Sequence, residues 1–372
     1  TEQRPYSQEE SEMNPTTAAV DLAKNVYQVA VADAQGHVVE QHRLTRTQFE
    51  RFFANRAIDR IIMEACGSAH HFTRTLSARG IQVVLLPAQY VRAYVRRNKT
   101  DRADALALLE AGRAPDIRPV RIKSVEQQSL QAIHRTRSLW MSTRTSRINA
   151  LRGFCRELGL HVPVGARTGI EAMTRAIADE QSAIPDLLRP SMRMLLDEIR
   201  VLETRIAQLE RQLASIATES AACRLLMSIP GVGLLTATGI AAATSGSVAH
   251  FTDARHFASW FGLTPKERSS GESNLGRISK RGDKYLRMLL THGARSVLRA
   301  ATAARTKGLE LTGLRRWAFE LQKRSNHNKA VCALANKLAR VCFGVLRDQT
   351  AFGQPATRLG KKIDRLSFGL AH

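Results

Sequence analysis

Apolar and polar residues alternate in short runs over the first ninety positions, and the period of the runs changes in an ordered way. Ala18 to Leu22 reads as a short apolar strand carrying Asp21 at its end. Tyr27 to Ala32 and His37 to Leu44 read as two further strands, joined by the turn Ala34-Gln35-Gly36. Short runs separated by a Gly-containing turn predict a hairpin. The pattern then becomes helical over Thr47 to Asn55, with Phe49, Phe52 and Phe53 on one side. Arg60 to Glu64 predicts a buried strand, His71 to Arg79 a helix, and Ile81 to Leu86 a strand closed by Pro87. A hairpin followed by alternating helix and strand predicts an α/β layer with a mixed sheet.

Beyond this region the helical period dominates. A helix is expected over Asp101 to Gly112, and one long helix within 118–157. Pro163, Pro185 and Pro190 interrupt the next stretch. Met192, Leu195, Ile199, Leu202, Ile206, Leu209, Leu213 and Ile216 then recur at alternating steps of three and four, a heptad seam. The seam predicts either a coiled coil between protomers or an intramolecular hairpin with the preceding helix. The expected organisation is a flexible arm (1–16), an α/β domain (17–117), a basic helix and coiled coil (118–218), a mainly helical C-terminal domain (219–350) and a tail (351–372). The fold class is therefore α/β plus α.

Charge changes the picture. Lys and Arg number 56 against 33 Asp and Glu, a formal net charge of +23. Such an excess costs self-repulsion and points to a polyanionic partner. No apolar run approaches the roughly 18 residues of a spanning helix, so no membrane role is expected. Five cysteines are scattered without a CxxC pair, as expected for reduced thiols in a cytoplasmic protein.

Four acids stand at element boundaries. Asp21 and Glu64 end strands whose tips meet if the two strands are sheet neighbours. Asp101 and Asp104 open a helix at spacing i, i+3, which puts both on one face. Carboxylate oxygens suit Mg²⁺ or Mn²⁺, and paired ions can flank a scissile phosphate. Asp101 also has the position of a helix cap, and Asp104 that of a first-turn acid favoured by the helix dipole.

Basic and glycine-rich segments supply the binding candidates. Residues 118–157 carry nine Lys/Arg, including Arg135, Arg137, Arg144, Arg147 and Arg152, against Glu126 and Glu157. A helix so one-sided in charge either tracks a phosphate backbone or is a solvated face. Leu226 to Thr236 resembles the turn of a helix-hairpin-helix, in which Gly231 and Gly233 let backbone N–H groups approach a phosphate, or is an ordinary interhelical turn. Lys266 to Asp283 holds three glycines, four serines and five basic residues. Ser269, Ser270 and Ser279 are candidate nucleophiles there, and Arg268, Arg277, Lys280 and Arg281 candidate phosphate contacts; composition fits equally a DNA-gripping loop with no chemistry. Asp283 and His292 are candidate proton carriers.

The order of these motifs resembles the DEDD insertion-sequence transposases of the IS110 family, and more particularly its IS1111 branch. The pieces that match are Ala19-Val-Asp-Leu-Ala-Lys24, Met63-Glu-Ala-Cys-Gly67, Asn98-Lys-Thr-Asp-Arg-Ala-Asp-Ala105, Ile229-Pro-Gly-Val-Gly233, Phe261-Gly-Leu-Thr-Pro265, Ser270-Gly271, Gly276-Arg-Ile-Ser-Lys-Arg-Gly282 and Asn328 to Arg340. The resemblance spans about residues 17 to 350. It implies a RuvC/RNase H-like domain whose metal ligands are Asp21, Glu64, Asp101 and Asp104. It also implies a nucleophile at Ser270 that forms a phosphoserine link to DNA, and a structured noncoding bridge RNA that pairs with donor and target double-stranded DNA. A homo-oligomer, dimeric or tetrameric, with a composite active site in the bacterial cytoplasm and at the nucleoid is expected from the same source. The absence of a G-x-x-x-x-G-K-[ST] motif agrees with strand rejoining that needs no ATP. The rival expectations are a RuvC-like junction resolvase that hydrolyses DNA with water, and a non-catalytic nucleic-acid-binding protein.

Overall fold

The computed structural model describes residues 16–23, 25–54, 56–95, 100–267 and 275–354, apart from the Asp101 side chain. The chain divides into two compact units, Thr1–Ser124 and Val125–His372. The expected arm and most of the expected tail lie outside the described residues.

In the first unit β1 (Thr17–Leu22) pairs antiparallel with β2 (Val26–Ala32), which pairs antiparallel with β3 (Val38–Thr45). On its other side β1 runs parallel to β4 (Arg60–Glu64), and β4 parallel to β5 (Gln82–Leu86). The sheet order is β3-β2-β1-β4-β5, the mixed sheet of a RuvC/RNase H-like domain.

Both sheet faces are covered, and strand alternation sorts the residues between them. Ala18, Val20, Ile61 and Met63 face a core completed by Phe49 of α1 (Arg46–Phe52) and by Phe72 and Leu76 of α2 (Ala69–Ser77). Ala19, Ala30, Ala32 and Ile62 face the other core. There they meet Ala105 and Leu108 of the helix Asp101–Ala111, which follows a short helix α3 (Ala88–Val91) and is numbered α4. Tyr27, Phe49 and Phe72 form a triangle of edge-to-face rings with centroids 5.0 to 5.4 Å apart. The single turn α3 was not expected, since four residues carry no periodic signal. The long helix expected within 118–157 begins at Val125, and before it Val120 donates its N–H to Leu85 O at 2.7 Å.

The second unit is helical. α5 (Val125–Glu157) lies antiparallel to α7 (Arg189–Glu219), with α6 (Ala166–Ala178), missed in the sequence, packed at their base. The heptad seam turns inward: Met192, Ile199, Leu202, Ile206 and Leu213 are buried. Between the two helices Arg137 meets Glu210 at 2.6 Å, Arg144 meets Glu203 at 2.5 Å and Arg147 meets Glu198 at 2.8 Å. The seam therefore forms the intramolecular hairpin that was the alternative to an inter-protomer coil.

The remaining elements are α8 (Ala221–Met227), α9 (Leu234–Thr244), α10 (Ala254–Trp260), a two-stranded hairpin of β6 (Pro265–Glu267) and β7 (Leu275–Ile278), α11 (Lys284–Thr306), α12 (Gly313–Lys323) and α13 (His327–Asp348). They share one core, centred on Phe257, Phe261, Leu290, Ala294, Leu334 and Leu338. Both α5 and α7 pack on α9, so the expected division at 218 lies inside a continuous packed unit. Among the described residues no helix is long and apolar enough to cross a membrane, and all five cysteines are free.

A buried polar cluster ties α5, α9 and α11 together. His134 Nδ1 lies 3.0 Å from the Tyr285 hydroxyl, and its Nε2 lies 3.0 Å from Thr238 Oγ1. Burial, with a smaller contribution from the Arg137 charge, pushes His134 down to about 4. The unfolded chain therefore takes up a proton near pH 6.5 that the folded chain refuses until about pH 4. Stability from this group is full above about pH 6.5 and falls by about 3 kcal/mol as the pH drops to 4. All three tryptophans, Trp140, Trp260 and Trp317, are in the second unit, so their fluorescence reports its unfolding alone. Urea midpoints followed this way should fall between pH 6.5 and 4, and His134→Gln should flatten that dependence.

Candidate active site

The two strand-end acids are placed by register. β1 and β4 pair in parallel up to Val20 and Met63, and Asp21 and Glu64 are the next position on each strand. Side-chain alternation puts Asp21 on the face of Ala19 and Glu64 on the face of Ile62, which is the face covered by α4. Both are partly buried. The condition set by the sequence, that the two strands be neighbours, is met.

α4 brings the other pair. Its N-cap is Thr100, whose hydroxyl accepts from Ala103 N at 3.2 Å, so the capping role open to Asp101 is already filled. Asp101, Asp104, Leu108 and Ala111 recur at helical spacing, and Leu108 and Ala111 are buried against the sheet. Asp104 is partly buried one turn before that contact, and its N–H donates to Thr100 O at 3.0 Å. The Asp101 side chain lies outside the described residues. The packing of α4 is close at its far end, where a Cβ on Gly112 would run into the Ile62 side chain.

The donor chemistry of this face, carboxylates from two adjacent strands and one helix, suits a hard divalent ion. Among the described residues no three His, Cys, Asp or Glu side chains are gathered tightly enough to hold one. The described trio of Asp21, Glu64 and Asp104 therefore lies on the α4 side of the sheet without forming a closed cage.

In the second unit the serine segment is carried by the β6–β7 hairpin, with Pro265 opposite Ile278 and Glu267 opposite Leu275. Arg268, Ser269, Ser270 and Gly271 fall between the two strands, outside the described residues. The base of the hairpin is fixed firmly. Gly262 has φ +70° and Gly282 has φ +85°. A Cβ on Gly262 would collide with Arg281 O, and one on Gly282 with Trp260 O. Two backbone segments thus cross where only glycine fits. Around the crossing, Lys280 N donates to Gly262 O at 3.0 Å and Ser279 N to Thr264 O at 2.8 Å. Arg287 Nη1 donates to Phe261 O at 2.9 Å, and Asn336 Nδ2 to Leu263 O at 3.2 Å. Arg277, Lys280 and Arg281 are placed on the return strand and the turn after it, with Arg277 and Arg281 exposed and Lys280 at the surface.

Other candidates have structural employment. Asp283 caps α11, accepting from Leu286 N at 2.9 Å. His292 is exposed on α11. Gly231, with φ +87°, is pressed against α11: a Cβ there would lie 2.6 Å from Val297 Cγ2 and 2.8 Å from Gly293 O. Gly233 differs, being exposed with nothing within 4 Å of a Cβ position. The pair of turn glycines is therefore split into one packing contact and one open backbone.

The arginines of α5 are likewise redistributed. Arg137, Arg144 and Arg147 are held by glutamates of α7, and Arg152 donates to Pro163 O at 3.0 Å and Gly165 O at 2.6 Å. Arg135 is exposed. A free stripe of five phosphate contacts is thus reduced, because α7 presents acids at matching intervals that the sequence of α5 alone does not reveal. The residues missed in the sequence, Arg287, Asn336 and the cluster around His134, belong to ordinary amphipathic helices. Only Gly262 and Gly282, inside motif segments, carried a signal.

Comparison with known proteins agrees with both halves of this arrangement. Residues 18–158 match the DEDD transposase family model of IS110, and residues 223–308 match the model described as transposase IS116/IS110/IS902 family. The chain is 39% identical to a probable family 20 transposase of Pseudomonas aeruginosa, over 91% of this chain and 99% of that protein. It is 36% identical to the transposase for insertion sequence element IS1111A of Coxiella burnetii, over 90% of each. It is 32% identical to the transposase for insertion sequence element IS1328 of Yersinia enterocolitica, over 92% of this chain and 99% of that one. With a RuvC-like sheet that aligns two acids on the face of a third, and full-length likeness to these enzymes, the chain belongs to the IS110 family of DEDD insertion-sequence transposases, which are DNA recombinases.

Proposed function

We propose that this transposase cuts and rejoins DNA through a covalent phosphoserine intermediate at Ser270, assisted by divalent metal held by Asp21, Glu64, Asp101 and Asp104. The observation that carries the reading is the parallel register of β1 and β4, which sets Asp21 and Glu64 side by side on the α4 face. Family membership suggests divalent-metal dependence; Mg²⁺ or Mn²⁺ bound there would neutralise charge on the phosphate and ease departure of the leaving oxygen.

The serine oxygen attacks phosphorus, forming a P–O bond as the bond to one deoxyribose oxygen breaks. The serine proton passes to a base, and the departing oxygen takes up a proton. Arg277, Lys280 and Arg281, on the same hairpin and the turn behind it, stabilise the developing negative charge. Attack by a different deoxyribose hydroxyl reverses the step and conserves the bond energy, so no ATP is spent. The crossing at Gly262 and Gly282 holds the base of the hairpin from which the serine segment extends. In this reading the acids of one protomer serve the serine of another, and a bridge RNA selects donor and target DNA by base pairing while basic surfaces hold backbone.

The test combines the protein, Mg²⁺, RNA transcribed from the element's flanks and labelled donor and target DNA. A denaturant-resistant protein–DNA adduct mapping to Ser270, and absent in Ser270→Ala, is expected. Cleavage without an adduct, undiminished in Ser270→Ala, would instead establish the hydrolytic nuclease. An adduct retained in Ser270→Ala and lost in Ser269→Ala would move the nucleophile by one residue.

A further inference from the structure

We infer that the outward ridge of α11 is a duplex DNA backbone site. The buried side of this helix is Leu286, Leu289, Leu290, Gly293, Ala294, Val297, Leu298 and Ala301. Opposite them Lys284, Met288, Arg295 and Arg299 are exposed along one strip, flanked by Thr291 and His292. From Lys284 to Arg299 the strip is about 22 Å long at helical rise, roughly six base-pair steps of duplex.

Three features set this strip apart from a solvated face. First, α11 contains no Asp or Glu, and neither do α8, α9 and α10. Second, the side chains of Lys284, Arg295 and Arg299 have no ion pair or hydrogen bond among the described residues, whereas three arginines of α5 each have a glutamate. Third, folding alone disfavours the placement. Lys284 stands at the positive end of the helix dipole, and Arg295 and Arg299 are like charges at i, i+4. A polyanion laid along the ridge relieves both. Five residues separate β7 from the start of the strip, which lies beside the base of the β6–β7 hairpin. The partner is DNA because the chain is a transposase, and a row of like cations along one helix face matches the repeating negative charge of a duplex backbone.

The experiment uses the full chain and a short labelled DNA duplex of arbitrary sequence, with binding followed by anisotropy across salt concentrations. In Lys284→Gln/Arg295→Gln/Arg299→Gln the slope of log K against log salt should shrink by about 2.7, near 0.9 for each phosphate left without its cation. The matched variant Arg167→Gln/Arg193→Gln/Arg211→Gln, which removes the same charge from exposed positions on α6 and α7, should leave the slope unchanged. Tryptophan fluorescence in urea checks that each variant is folded. If the triple variant does not fold, Arg299→Gln alone should shrink the slope by about 0.9. An unchanged slope in the ridge variant, an equal decrease in the matched variant, or a decrease seen with an RNA duplex but not with DNA would each overturn the assignment. None of these readouts depends on the serine chemistry.

Discussion

Replacing Glu64 with Gln is expected to lower DNA strand cleavage by about a thousandfold or more while DNA binding stays intact. The amide keeps the shape of the side chain and the end of β4, where the backbone bonding of Glu64 and Leu86 is undisturbed. Only the negative charge is lost. That charge stands beside Asp21 and faces α4, so its removal halves the strand-borne carboxylate pair. Asp104→Asn, at the partly buried helix position, should show the same separation of cleavage from binding. The assays are strand cleavage of labelled DNA in Mg²⁺ and anisotropy of the same DNA. Cleavage that survives both substitutions would leave the acids structural and the non-catalytic reading in force.

Gly293→Val is expected to destabilise the second unit by about 3 kcal/mol or more. Gly293 is fully enclosed in the middle of α11, and a Cβ there would collide with the carbonyl oxygen of Gly231. The obstacle is backbone held in a positive-φ turn, so it cannot rotate away as a side chain would. Relief requires α11 to separate from the α8–α9 turn, which opens the core around Leu290, Ala294 and Val297. Urea unfolding followed by tryptophan fluorescence should show a lower midpoint, and Gly233→Ala, at the open turn glycine, should change it little. A Gly293→Val chain as stable as the wild type would mean that the helix and turn do not touch.

The sheet of the first unit was legible because each strand is short, apolar and punctuated. Arg60–Glu64 has the boundaries expected, and Asp101 opens α4 as expected. The face shared by the acids was also legible once the strands were taken as neighbours, because alternation along a strand is strict. What α5 does with its arginines was not. A basic helix reads alike whether its partner is a phosphate or a glutamate. Glu198, Glu203 and Glu210 stand some fifty to seventy residues away in sequence, so only the antiparallel hairpin brings them opposite. The heptad seam posed the same difficulty: it specifies a helical partner and not which chain supplies it. Gly231 read as a phosphate-facing residue because its burial against α11 depends on Gly293, sixty-two positions later.

The parallel pairing of β1 and β4 also bears on how copies of such an element lose activity. Position along these strands works as an odd–even code, with even residues of β1 in the phenylalanine-lined core and odd ones on the α4 side. Inserting or deleting one codon ahead of Asp21 within β1 would turn its carboxylate into the rings of Tyr27, Phe49 and Phe72 without changing its identity. Shifting by two codons would restore the side but move the acid one rung along, out of step with Glu64. A copy can therefore keep all four acids in its sequence and still be silent, and the spacing from the strand start to the acid is as informative about an intact element as the acid itself.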